Sequence, residues 1–210
     1  MQKAIYAALL IVILFATWGG YIGYRHHVDN EVIDAAVPAV KNTSLRVANA
    51  LKLFTQPSNA TYKELFDKAD ADVAELDKKH LDVQTAATPS TEKWMSAIGA
   101  YLVASQDVLR AEAGMYRKKL LAESAFEQSQ QAARRYAQAS STYETRFLVA
   151  TRDESLAEER KRVGEFQDAT KTMNAALTKL SEARDSLTTF VPGDALIDPA
   201  LLEEARKRVK

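Results

Sequence analysis

From Ala4 to Tyr24 the chain carries 21 residues without a single charge, AIYAALLIVILFATWGGYIGY. At about 1.5 Å of rise per residue this run makes roughly 31 Å of helix, the thickness of a hydrocarbon core. Trp18, Tyr21 and Tyr24 gather at its C-terminal end, where an aromatic belt sits at the headgroups. The pattern predicts a transmembrane anchor over residues 1–24. A cleaved signal peptide is the rival, because Lys3 followed by an apolar run also fits that form. No A-x-A site follows the run, and Trp18 stands between Thr17 and Gly19 where small residues would be required. Positive charge is nearly balanced across the span, with Lys3 before it and Arg25 and Lys41 after it. The usual signal-anchor outcome places the N-terminus inside and the bulk of the chain outside the cytoplasm, single-pass in a bacterial inner membrane.

Beyond the span the periodicity is helical almost throughout. Ile33, Val37, Val40, Ser44, Val47, Leu51 and Phe54 alternate steps of four and three, a heptad seam that Pro38 is expected to kink. The loop Thr55-Gln56-Pro57-Ser58-Asn59 ends it. Thr61-x-x-Glu64 is a capping box that opens a second helix, with the seam Tyr62, Phe66, Ala69, Val73, Leu76, His80 and Val83. Thr88 as N-cap and Pro89 as first helical residue predict the start of a third.

From Ser90 to Val191 there is no proline, and glycine occurs only at 99, 114 and 164. One unbroken helix there would reach about 150 Å, so at least one reversal is required. A small-residue stripe runs Ala97, Tyr101, Ala104, Val108, Ala111, Met115, then Ala122, Ala125, Ser129, Ala132, Tyr136, Ala139 and Tyr143. It fades towards Arg152. Capping boxes at Thr151-x-x-Glu154 and Ser155-x-x-Glu158 predict the reversal near 150–154, with Ser124-x-x-Glu127 as a second candidate. Without a break at Ser124 the third helix is a rod near 90 Å. Val163, Phe166, Met173, Leu177, Leu180 and Leu187 line the last long helix, which Pro192-Gly193 ends. Asp198-Pro199 opens a short terminal helix, acidic in its first turn and basic in its last.

Composition sharpens this picture by exclusion. The 210 residues hold 28 basic and 28 acidic side chains, so the charge footprint of a dedicated nucleic-acid binder is lacking. No Cys means no disulfide, thiolate metal site, iron–sulfur cluster or Cys nucleophile. Seven Gly and five Pro are too few for a turn-rich β fold. The charges are unevenly spread. Glu64, Asp67, Asp70, Asp72, Glu75, Asp77 and Asp82 make the second helix acidic, while Arg117-Lys118-Lys119, Arg134-Arg135, Arg160-Lys161-Arg162 and Arg206-Lys207-Arg208 form basic clusters. These clusters read as solvated helix faces.

Candidate chemistry is sparse. His26 and His27 sit just past the span and point to different faces of a helix, with no third ligand nearby. His80 shares an i, i+3 pair with Asp77, the spacing of di-iron bundle ligands, but a lone bundle histidine cannot complete such a centre. No phosphate loop, G-x-S-x-G elbow or H-E-x-x-H is present, so no catalytic, cofactor or metal residue is assigned. An aromatic set of Trp94, Tyr101, Tyr116, Tyr136, Tyr143 and Phe147 reads first as core. Its alternative is a small-molecule pocket bounded by His80, Trp94, Tyr101 and Tyr116. Inside the span, Ala16 with Gly20 and Gly19 with Gly23 are small-xxx-small pairs that would let two spans approach closely as a dimer.

The expectation is therefore an all-α protein: one N-terminal transmembrane helix (1–24), an antiparallel, elongated four- to five-helix bundle or coiled coil (25–191), and a turn with a short C-terminal helix (192–210). Its function is read as a non-catalytic, membrane-anchored interaction or scaffold protein of the cell envelope. Its partners would be the bilayer and a protein partner or a second copy, without nucleic acid or cofactor. The alternative is a ligand-binding or sensory bundle with a pocket between helices.

Overall fold

The computed structural model describes residues 36–55, 63–65, 67–69, 71, 91–139 and 142–209. The expected span, with Ala16, Gly19, Gly20 and Gly23, lies outside the described residues, as do Thr61, His80 and Thr88. Among the described residues every regular element is helical, and no helix is long and apolar enough to cross a membrane.

Helix α1 covers 36–55 of the described chain and α2 includes 63–65, 67–69 and 71. Helix α3 spans Glu92–Ala137 and α4 spans Thr142–Leu187, each of 46 residues. A single 3-10 turn over Gly193–Ala195 precedes α5, Pro199–Val209. Helix α1 continues through Pro38, whose side chain is exposed.

Helices α3 and α4 form an antiparallel hairpin. Lys118 meets Glu165 at 2.8 Å, Ser129 meets Glu159, and the Arg152 guanidinium lies 4.6 Å from the Tyr136 ring centre. Helix α1 runs parallel to α3, since Ser44 bonds Tyr101 and, ten residues on, Phe54 packs edge-to-face on Tyr116. Helix α5 is antiparallel to α4: Arg184 Nε donates to the Ile197 carbonyl at 2.7 Å and Arg206 to the Leu177 carbonyl at 3.2 Å.

Two rows of side chains on α3 explain this arrangement. The small-residue stripe faces α4, and Tyr101, Ala104, Val108, Ala111, Met115, Ala122, Ala125, Ser129 and Ala132 are all buried. A second row, Met95, Ile98, Leu102, Ser105, Leu109, Glu112 and Tyr116, is at most 5% exposed. It also steps by three and four, so it forms a continuous neighbouring face. That face packs into the core cluster with Val40, Val47 and Leu51 of α1 and Leu177, Ile197 and Leu202 from the C-terminal part.

The second row stops at Tyr116. Below it the molecule is a head with a common core. Beyond it the hairpin is an arm of two helices alone among the described residues. In the arm α3 offers mainly alanines, and α4 has no buried residue between Glu144 and Thr172.

Three boundaries differ from the sequence expectation. The reversal falls between the end of α3 at Ala137 and the start of α4 at Thr142, and not near 150–154. Ser155 is inside α4, where its hydroxyl donates to the Thr151 carbonyl at 2.8 Å instead of capping a helix end. Helix α3 runs through Ser124 unbroken, but at 46 residues it is about 69 Å long, not 90. It starts at Glu92, with Thr91 as N-cap and the first backbone bond from Met95 N to Thr91 O, three residues after the expected Thr88–Pro89 start.

Candidate docking surface

The residues proposed as a pocket are placed in two ways. His80 lies outside the described residues. Trp94, Tyr101 and Tyr116 are buried parts of the head core. Tyr101 is fully enclosed, and its hydroxyl is the centre of a chain of hydrogen bonds. Ile197 N–H donates to it at 3.3 Å, it pairs with Ser44 Oγ at 2.7 Å, and Ser44 reaches the Ala195 carbonyl at 2.8 Å and the Val40 carbonyl at 2.8 Å. With Ile197 donating, the Tyr101 proton goes to Ser44 and the Ser44 proton to a carbonyl, so every group is satisfied. Burial pushes the Tyr101 pKa above its ordinary value, with the Ser44 and Ile197 hydrogen bonds and the positive charge of Arg184 opposing the shift. A neutral phenol tying α1, α3 and the 193–197 turn together is a structural clasp. Tyr116 donates to Glu112 Oε1 at 3.0 Å.

The rest of the aromatic set falls on the arm. Tyr136 is half-buried under Arg152, and Phe147 is 70% exposed. Among the described residues no group of acidic or histidine side chains has the arrangement to hold a metal.

An open groove of about 450 Å³ lies between α3 and α4 where head and arm meet. Its floor is small, with Ala111, Gly114, Ala169 and Ala176, and its rim carries Arg110, Lys118 and Lys179 beside Asp107. Lys118 is committed to Glu165, which also accepts from Arg162 Nη1 at 3.1 Å. Those two cations, Lys118 foremost, hold the Glu165 carboxyl below the usual carboxylate range. Several other basic residues have comparable internal duties, while Arg134 and Arg135 are exposed. Lys119 sits 5.2 Å from the Phe166 ring centre, Arg162 pairs with Glu158 at 2.6 Å, and Arg206 ties α5 to α4.

Large apolar side chains meet water on the head, at Leu45, Val103 and Phe190, and on the arm. Leu121, Phe126, Phe147, Leu156 and Val163 are all exposed. Val163 was expected in the seam of the last long helix; it lies one position to the side, and Arg162 occupies the seam level instead. Phe126 carries no periodic signal with its α3 neighbours. It becomes visible only beside Leu156 and Val163, once the hairpin register is known. Comparison with family models, curated proteins and solved structures finds no match to this chain.

Proposed function

We propose that this chain is a non-catalytic interaction protein, held in a membrane of the cell envelope by one N-terminal span, whose α3–α4 arm carries a docking surface. The observation that carries the reading is the exposed apolar set on the arm, Leu121, Phe126, Phe147, Leu156 and Val163. Scattered apolar side chains are ordinary on protein surfaces, but here five fall on two helices whose buried positions on the α3 side are mainly alanine. The uncharged run Ala4–Tyr24 supports the anchor. The parallel course of α1 and α3 supports a division of labour, because the chain enters the head at the end opposite the arm tip.

Purification of the full chain in mild detergent, followed by identification of what accompanies it, tests this. The bound species is expected to survive washing with the native arm and to be lost with Phe126→Ser, Leu156→Ser and Val163→Ser together, while helicity is kept. Retention by that triple variant would place docking elsewhere. A reporter fused at Lys210 is expected to be active outside the cytoplasm.

A further inference from the structure

We propose that one edge of the arm is a contact between two copies of this chain, with their α4 helices antiparallel about a two-fold axis between Leu156 and Ala157. The proposal deepens the reading of the arm as a docking element and rests on it.

The edge continues a face that is already an interface. Every seventh residue of α3 from Ile98 gives Ser105 and Glu112, both buried, then Lys119 and Phe126, the last 51% exposed. On α4 the matching series from Leu177, fully buried, reaches Val163 and Leu156, 40% and 36% exposed. Head elements therefore cover the lower part of this edge, and the edge runs on uncovered into the arm, where Phe126, Val163 and Leu156 are its apolar members.

Charge selects the occupant. Asp153 and Arg160 lie three residues before and four after Leu156, on its face of the helix. In an antiparallel pair about that axis, Asp153 of each copy stands level with Arg160 of the other, twice over by symmetry. In a parallel pair Asp153 would face Asp153 and Arg160 would face Arg160, which disfavours that alignment. Asp153 is exposed and pairs with its neighbour Arg152 at 2.8 Å, a surface contact of the kind that is easily exchanged. The edge is thus complementary to itself in one orientation only.

The full chain in mild detergent is expected to be dimeric by light scattering, and Leu156→Glu with Val163→Glu to be monomeric at unchanged helicity. Asp153→Arg or Arg160→Asp alone is expected to weaken association on the order of tenfold, and the two together to restore it. Because the chain has no cysteine, Ala157→Cys is expected to cross-link to itself on oxidation and Asp153→Cys to fail to do so. A monomeric wild type overturns the proposal. So does a dimer untouched by the Leu156 and Val163 changes but lost with Gly19→Leu and Gly23→Leu, or equal cross-linking at 153 and 157. A monomer whose arm variants still lose a different bound protein would sink the second-copy contact and leave the docking role intact.

Discussion

The Ser44–Tyr101 hydrogen bond joins residues 57 positions apart and has both ends buried. Removing the phenol oxygen strands the Ile197 N–H and takes from Ser44 its donor, so Tyr101→Phe is expected to cost about 1–3 kcal/mol in chemical denaturation. Ser44→Ala should cost a comparable amount, and the double variant less than the two together, with a coupling of about 0.5–3 kcal/mol. The clasp also sets a pH limit. Burial raises the Tyr101 pKa above the ordinary 10.0, so on raising the pH the unfolded chain loses this proton before the folded chain does. The stability it contributes is complete below about pH 10 and is lost as pH rises through the folded value. The difference in unfolding free energy between wild type and Tyr101→Phe is therefore expected to be flat to about pH 9 and to shrink above 10. A difference constant through pH 11 would show that the phenol does not titrate with folding.

At the scale of elements, head and arm are made of different material. Leu109, Leu177, Leu180 and Leu187 are wholly enclosed in the head, each contributing roughly 1.5–3 kcal/mol of burial. The arm closes on Ala122, Ala125, Ser129 and Ala132 opposite a polar stretch of α4, which supplies far less. Hydrogen exchange is expected to be faster over 122–137 and 145–170 than over 98–116 and 173–187; uniform protection would contradict the division. Gly114 and Gly164 sit inside these helices with negative φ, and a Cβ at either meets nothing within 4 Å. Gly114→Ala and Gly164→Ala should each stabilise by about 0.5–1 kcal/mol, seen as a rise in Tm of a few degrees. Much of this level was legible in sequence. The α3 stripe from Tyr101 to Ala132 shows its period openly, because small residues repeat at three and four. The second row did not, since Ser105 and Glu112 interrupt it and its leucines read as the flank of the first. The position of the reversal is not legible, because Thr151 and Ser155 offer the same capping pattern as Ser141-x-x-Glu144, and periodicity cannot rank identical caps. Tyr101 and Tyr116 were visible as aromatic, but whether they line a pocket or fill a core depends on what α1 brings against them. Phe126 and Leu156 belong to different helices, so nothing local connects them.

At the scale of the whole molecule, direction matters more than composition. Helix α1 ascends beside α3 from Ala36, whose level is that of the start of α3, and Leu187 at the end of α4 returns to the same level. Ala36, the 188–191 turn and the base of the head thus share one end, and Gln138 marks the other, about 69 Å away along α4. With the anchor proposed for residues 4–24, the base is expected to face the bilayer and the tip to stand clear of it. Single cysteines can report this, since the chain has none of its own. Phe190 is 45% exposed at the base and Gln138 is exposed at the tip, so Phe190→Cys and Gln138→Cys should accept a fluorophore without disturbing the core. In vesicles containing acceptor-labelled lipid, the probe at 190 is expected to be strongly quenched and the probe at 138 hardly at all. Equal quenching would mean an arm lying along the membrane, with its apolar edge on lipid and no room for a second copy. Quenching at 138 alone would reverse the polarity argued from α1. Antiparallel pairing of two arms adds a further length: the axis between Leu156 and Ala157 is about 45 Å from Leu187, so the bases of paired copies lie on the order of 90 Å apart. Mixing two vesicle populations that carry the full chain should then dock them without fusion, and Leu156→Glu with Val163→Glu should abolish the docking. Undocked wild-type vesicles with quenching still confined to 190 would leave the outward arm standing and remove the pairing across membranes.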